Sequence, residues 1–259
     1  ASLLKTFQLH AQAADQLRNF LETHEAAEDI RLALASLYCD MRRTADAIQV
    51  LTQRNGDSNA PASYHYLLGR LLIQQGNLSN AIHELQIAVT LAPENLDYVA
   101  YVALCAAKLG QPAQAARLIA AAKAIGPNNA NLVYAEGVCR LLSGSREEAR
   151  SSFRHAADLS YKWEAPWLAL AYASLDSPAQ QKTVLDQTES MFPYSPWPHL
   201  LKAKLLNSDQ ELEKALELAP ADPRIYAQLL PLCLQQGNCA RAQEVWRRMS
   251  ELGTETEYA

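Results

Sequence analysis

A 34-residue period constrains this chain more than any other feature. Gly76 recurs as Gly110 and Gly144, Ala81 as Ala115 and Ala149, Ala88 as Ala122 and Ala156, and Pro93 as Pro127; Ala47 lies one period before Ala81. The stretch 62–95 reads as two short amphipathic helices, joined at Gly76-Asn77 and closed by Ala92-Pro93. A fixed period of this length marks an array of helical units. Each unit of such an array packs on its neighbours, and no single central core is built.

Composition agrees. Hydrophobic residues make up 49% of the 259, and only 9 are glycine, which suits closely packed helices. The net charge of -5 and the lack of any Lys/Arg run beyond Arg42-Arg43 and Arg247-Arg248 argue against nucleic acid as a partner. No stretch is long and apolar enough to predict a membrane span. The chain starts Ala-Ser with no Met, so a removed leader or anchor stays open. Cys39, Cys105, Cys139, Cys233 and Cys239 are odd in number and form no CxxC. They read as small buried helix residues, and this tilts localisation to the cytoplasm, with the periplasm and a membrane-associated setting left open.

Taken in order, residues 1–27 read as an N-terminal helical cap or partial repeat, with Leu3, Leu4, Phe7, Ala14, Leu17, Phe20 and Leu21 at helical spacing. Residues 28–163 read as four regular units divided at 62, 96 and 130, the first ending in a turn-rich loop over 54–61. Residues 164–222 read as shortened, irregular units. There the turn Asp176-Ser177-Pro178 lacks its glycine, and Tyr194-Ser195-Pro196-Trp197-Pro198 forms a junction. Gly144 to Gly237 spans 93 residues where three periods need 102. A last unit covers 223–256, and 257–259 is tail; the polar stretch Gly253 to Ala259 is expected to fray.

These units resemble the tetratricopeptide repeat. That family places a large residue at position 4, Leu at 7, a small residue at 8, a large residue at 11, Ala at 20, a large apolar residue at 24, Ala at 27 and Pro at 32. Unit 62–95 supplies His65, Leu68, Gly69, Leu72, Ala81, Leu85, Ala88 and Pro93. Unit 96–129 supplies Val99, Val102, Ala103, Ala106, Ala115, Ile119, Ala122 and Pro127, and unit 130–163 departs at Glu136, Arg140 and Tyr161. The small residues belong where helices cross closely; a larger side chain there overpacks, at a cost of about 1–3 kcal/mol. The resemblance implies an all-α, right-handed superhelical solenoid of antiparallel helix pairs, with six to seven units.

It further implies a concave groove lined by first-helix positions 2, 5, 9, 12 and 13. Those positions are Tyr66, Arg70 and Gln74, then Asp97, Ala100, Leu104 and Lys108, then Asn131, Tyr134, Val138 and Leu141. Tyr172 with Leu168 and Leu175, Trp197 with Leu200 and Lys204, and Arg224 with Gln235 continue the set. A groove of this composition suits an extended peptide or a helix, with aromatics as anchors. The family's carboxylate clamp needs Lys or Asn at position 5, where this chain has Leu32, Tyr66, Ala100, Tyr134 and Leu168.

Histidines 10, 24, 65, 83, 155 and 199 form no metal or catalytic pairing. His65 reads as a packed residue, Arg70 and Lys204 as solvated charges, and the Glu147-Glu148 and Glu211–Glu217 runs as solvated second-helix faces. The expectation is a protein-binding scaffold, not an enzyme, with no cofactor and no metal. A self-associating subunit such as a homodimer, or a non-catalytic region of a larger assembly or secretion machine, is the alternative.

Overall fold

The computed structural model describes residues 2–24, 28–41, 43–53, 60–206, 208–220 and 222–251; for 2–8, 223 and 224 it describes the backbone only. The side chains of Leu3, Leu4, Phe7 and Arg224, the loop 54–59 and the tail from 252 lie outside the described residues. Fifteen helices and no strand occupy the described residues: α1 Ser2–Thr23, α2 Glu28–Asp40, α3 Thr44–Thr52, α4 Ala62–Gln74, α5 Leu78–Leu91, α6 Leu96–Lys108, α7 Pro112–Ile125, α8 Ala130–Leu142, α9 Arg146–Leu159, α10 Glu164–Ala173, α11 Pro178–Met191, α12 Trp197–Leu206, α13 Asp209–Leu218, α14 Pro223–Gln235 and α15 Cys239–Glu251. The fold is an all-α array of helix pairs. It divides into two compact units, Ala1–Ser143 and Gly144–Ala259, at a turn inside the repeat 130–163.

The turn glycines act through backbone conformation. Gly76, Gly110 and Gly237 have φ of 78°, 76° and 70°, the left-handed region that only glycine enters at no steric cost. Each lets its helix close in a Schellman motif. Asn77 N–H donates to the Leu72 carbonyl, Gln111 to Ala106 and Asn238 to Cys233, each at 2.9 Å. The next helix begins at once. Asn77 caps α5 by accepting from Asn80 N–H at 3.4 Å.

Four of the second helices, α5, α7, α9 and α13, end in one backbone geometry. Ala92, Gly126, Ser160 and Ala219 have φ between -142° and -144°. A following proline explains this at Ala92, Gly126 and Ala219, because it pushes its predecessor out of the helical region. Ser160 adopts the same geometry before Tyr161, so packing of the pair suffices without proline.

In the unit Ala1–Ser143, Ala81, Leu85 and Ala88 of α5 and Ala115, Ile119 and Ala122 of α7 are buried at the same repeat positions. The α4–α5 crossing is tight at Gly69, where an added Cβ would stand 2.6 Å from Leu85 Cγ. Ala14 and Leu21 of α1 join the core built by α2 to α5, as their spacing predicts. In the unit Gly144–Ala259, Ala149, Phe153 and Ala156 of α9 repeat the pattern. A second core gathers Leu200, Ala203, Leu212, Ala215, Ile225, Leu229 and Met249.

The turn without glycine, 174–177, is held differently. Arg150, 6% exposed, donates to the Ala173 carbonyl at the end of α10 at 3.1 Å and pairs with Asp176 and Glu147. Glu147 is thus an ion-pair partner and not a purely solvated charge. One further expectation is corrected: Cys105, Cys139 and Cys233 are buried, but Cys39 is half-buried and Cys239 exposed. Cys239 is the first residue of α15, at the open edge of a cavity it lines with Leu230 and Leu234 of α14.

Candidate functional site

In the unit Ala1–Ser143 the first helices α4, α6 and α8 pack in succession. Tyr66 and Arg70 lie one turn apart on α4, so their side chains share a face. Tyr98 and Tyr101 do the same on α6. Across the two helices the rings meet: Tyr66 and Tyr98 centroids are 4.6 Å apart, and Tyr66 and Tyr101 are 5.3 Å apart, edge to face. The Arg70 guanidinium sits 5.3 Å from the Tyr66 ring centre and 5.4 Å from that of Tyr101. Such stacking suits the planar, weakly hydrated guanidinium. Arg70 is therefore half-buried beside two rings, where a solvated charge was expected.

Burial raises the Tyr66 phenol pKa, and Tyr101 adds to the rise. Burial opposes the charge on Arg70, but Tyr101 and Tyr66 outweigh it and hold its pKa above the ordinary value. Arg70 is a fixed cation. Tyr134, on α8, packs with Tyr101 and Val138 against the alanine-rich α6–α7 core, and burial pushes its phenol up to about 12. Asp97, one turn before Tyr101, accepts from the Asn129 and Asn131 side-chain amides at 2.8 and 2.9 Å.

The predicted groove residues of this unit do not all reach the surface. Tyr66, Arg70, Tyr134, Val138 and Leu141 are half-buried and Lys108 is exposed. Leu104 and Ala100 are buried: Leu104 sits among Ala103, Ala107, Ala135 and Cys139 where α6, α7 and α8 converge. Tyr98 and Tyr101 join the patch from positions 3 and 6 of their unit, outside the positions the resemblance implied. The available signal was spacing: Tyr101 lies one period plus one residue after Tyr66.

In the unit Gly144–Ala259, Tyr172 on α10 is 46% exposed, Trp197 on α12 is half-buried and Lys204 is exposed. The two helices touch. Leu200 is buried in the second core. His199 is buried, with Nδ1 2.7 Å from Glu211 and Nε2 3.8 Å from Glu189. Burial raises the Glu211 carboxyl pKa, but His199 and Lys214 hold it below its ordinary value. His65 pairs likewise with Glu84 at 2.7 Å. Each links the two helices of its own pair, which is structural work. Among the described residues no three His, Cys, Asp or Glu side chains gather as a metal site, and no helix is long and apolar enough to cross a membrane.

Residues 62–95 match the family model described as the tetratricopeptide repeat. A comparison with curated proteins returns no match. Among solved structures, the chain is similar to one from the APC/C hetero-tetramer Cut9–Hcn1, with a TM-score of 0.62 at 15% identity over 82% of this chain and 43% of that one. It is similar to TTC0263, a thermophilic TPR protein of Thermus thermophilus, with a TM-score of 0.53 at 20% identity over 80% of this chain and 100% of that one. It is also similar to PilF of Pseudomonas aeruginosa, with a TM-score of 0.50 at 21% identity over 76% and 94%. The chain thus spans less than half of the Cut9–Hcn1 chain, and at these identities the likeness is one of fold. Residues 62–95 are thus similar to a tetratricopeptide repeat, and the chain shares the fold of helix-pair arrays.

Proposed function

We propose that the first-helix face of α4, α6 and α8 holds a segment of a partner protein, with no covalent chemistry. One observation carries this reading. Tyr66, Tyr98 and Tyr101 meet ring to ring across α4 and α6, Tyr134 of α8 packs against the same core as Tyr101, and all four are only half-buried. Packing already restrains these rings, so binding orders little that is not ordered beforehand. Aromatic groups so placed serve as anchors for an apolar segment.

The test is capture of partners on the immobilised chain, comparing wild type with Tyr98→Ala and Tyr134→Ala, each also melted. Capture lost at unchanged melting temperature supports the reading. Capture retained in both variants refutes it. A second reading, self-association, rests on Leu234 and Trp246, both exposed on the last helix pair. Light scattering that gives the monomer mass at every concentration removes it.

A further inference from the structure

The aromatic patch holds a cation, Arg70. Arg70 is half-buried and stacked on Tyr66 and Tyr101, yet it forms no ion pair with a carboxylate among the described residues. Several other arginines are matched, Arg43 with Asp46, Arg140 with Glu136, Arg150 with Glu147 and Asp176, and Arg241 with Glu213, while Arg154 lies over the Trp167 ring. A carboxylate does stand beside Tyr66, that of Asp97. Its Oδ1 is held by the neutral amides of Asn129 and Asn131 and not by Arg70.

A guanidinium packed beside two rings has lost part of its hydration; the Tyr101 hydroxyl accepts from Arg70, and a fork of five N–H donors has capacity beyond that one bond. Those donors match the two oxygens of a carboxylate. Neighbouring ring faces lower the local dielectric, which strengthens such a pair.

We infer that Arg70 is a subsite for an aspartate or glutamate side chain carried within an otherwise apolar segment of the partner. The inference rests on the reading of the α4–α6–α8 face as a binding surface and adds the chemistry of what binds. The carboxylate is a side chain and not a chain terminus. Capture of a terminus uses several donors on successive first helices, whereas the groups that act on Arg70 among the described residues are Tyr66, Tyr101 and Cys39. Flanking residues of the segment are apolar or aromatic, because they lie over Tyr98 and Tyr134. Asp97 disfavours a second acidic residue at its end of the patch.

The experiment selects binders to the full chain from a random displayed peptide library, then measures the best synthetic peptide with its C-terminus amidated. A double-mutant cycle pairs Arg70→Met with the peptide's Glu→Gln or Asp→Asn change. The expected result is an acidic residue flanked by apolar ones in the selected peptides. Arg70→Met should then weaken binding by about tenfold or more, and the change in the peptide should cost nothing further in that variant. Arg70→Lys tests the fork: it should recover part of the affinity and not all.

Three results overturn the inference. They are no selected peptide with an internal carboxylate, additive effects in the cycle, or binding abolished by amidation, which would assign the carboxylate to a terminus. If Tyr98→Ala and Tyr134→Ala abolish peptide binding while the Arg70 cycle is additive, only the subsite fails. If those tyrosine variants also bind normally, the face itself fails. Melting of Arg70→Met beside wild type separates lost recognition from lost folding.

Discussion

Replacing Gly69 by Ala sets two known effects against each other, and the structure says which wins. In a helix interior Ala is favoured over Gly by about 1 kcal/mol. The added Cβ would stand 2.6 Å from Leu85 Cγ, 2.9 Å from Leu85 Cδ2 and 3.2 Å from the Ala81 carbonyl oxygen. Ordinary carbon contacts are about 3.5–4.0 Å. Leu85 is fully buried, and its branching Cγ cannot swing clear as a chain end could. The third neighbour is backbone. Overpacking of this kind costs about 1–3 kcal/mol, so the net effect is a destabilisation of about 1 kcal/mol. Leu85→Ala alone removes a fully buried side chain and should cost about 2–5 kcal/mol. In the double variant the clash is gone and the new methyl fills part of the cavity. The two changes should therefore couple favourably, by about 1–3 kcal/mol relative to their sum. Urea unfolding followed by far-ultraviolet circular dichroism measures all four corners of the cycle. Gly69→Ala that raises the midpoint, or a double variant equal to the sum, would refute the close crossing of α4 on α5.

Gly76→Ala isolates the other role of glycine, since an added Cβ there meets nothing within 4 Å and only its φ of +78° opposes the change; the expected loss is about 1 kcal/mol, read from the same unfolding curve. Arg150→Met leaves the Ala173 carbonyl without its donor and should cost about 1–3 kcal/mol, whereas Glu147→Gln, at a highly exposed carboxylate, should change little. The hydrogen bond from Arg150 holds the Asp176 carboxyl pKa below its ordinary value. A depressed carboxyl stabilises the fold above its unfolded pKa, and that contribution disappears as pH falls through the folded one. Acid titration by NMR should thus place Asp176 below the usual carboxylate range in wild type and return it there in Arg150→Met.

The repeat was legible because it rests on steric rules that act at fixed positions. Gly69, Ala81, Leu85 and Ala88 stand where small and large residues must alternate for one helix to cross the next. The turn glycines stand where the backbone turns left-handed. What escaped reading depends on how neighbouring units sit against each other. Arg70 looks like a solvated cation in any single helix. Only the placement of Tyr101, from the following repeat, makes it a half-buried one. Leu104 fails the opposite way. Its position implies the groove, but α8 brings Ala135 and Cys139 over it. Arg150 was invisible for the same reason. No local pattern says that a second-helix arginine will cap the next first helix where a turn lacks its glycine. Tyr161 adds a further point: the proline position can lose its proline and the helix still ends there.

The central claim is that the α4–α6–α8 face is where a partner binds, and hydroxyl-radical footprinting of the chain with and without a captured partner tests it directly, because oxidation reports on tyrosine rings one by one. The expected result is protection concentrated at Tyr66, Tyr98, Tyr101 and Tyr134, with the second-helix residues Leu91 and Ile125, both exposed in the free chain, oxidised as before. Protection at Leu91 and Ile125 with the four tyrosines unchanged would contradict it.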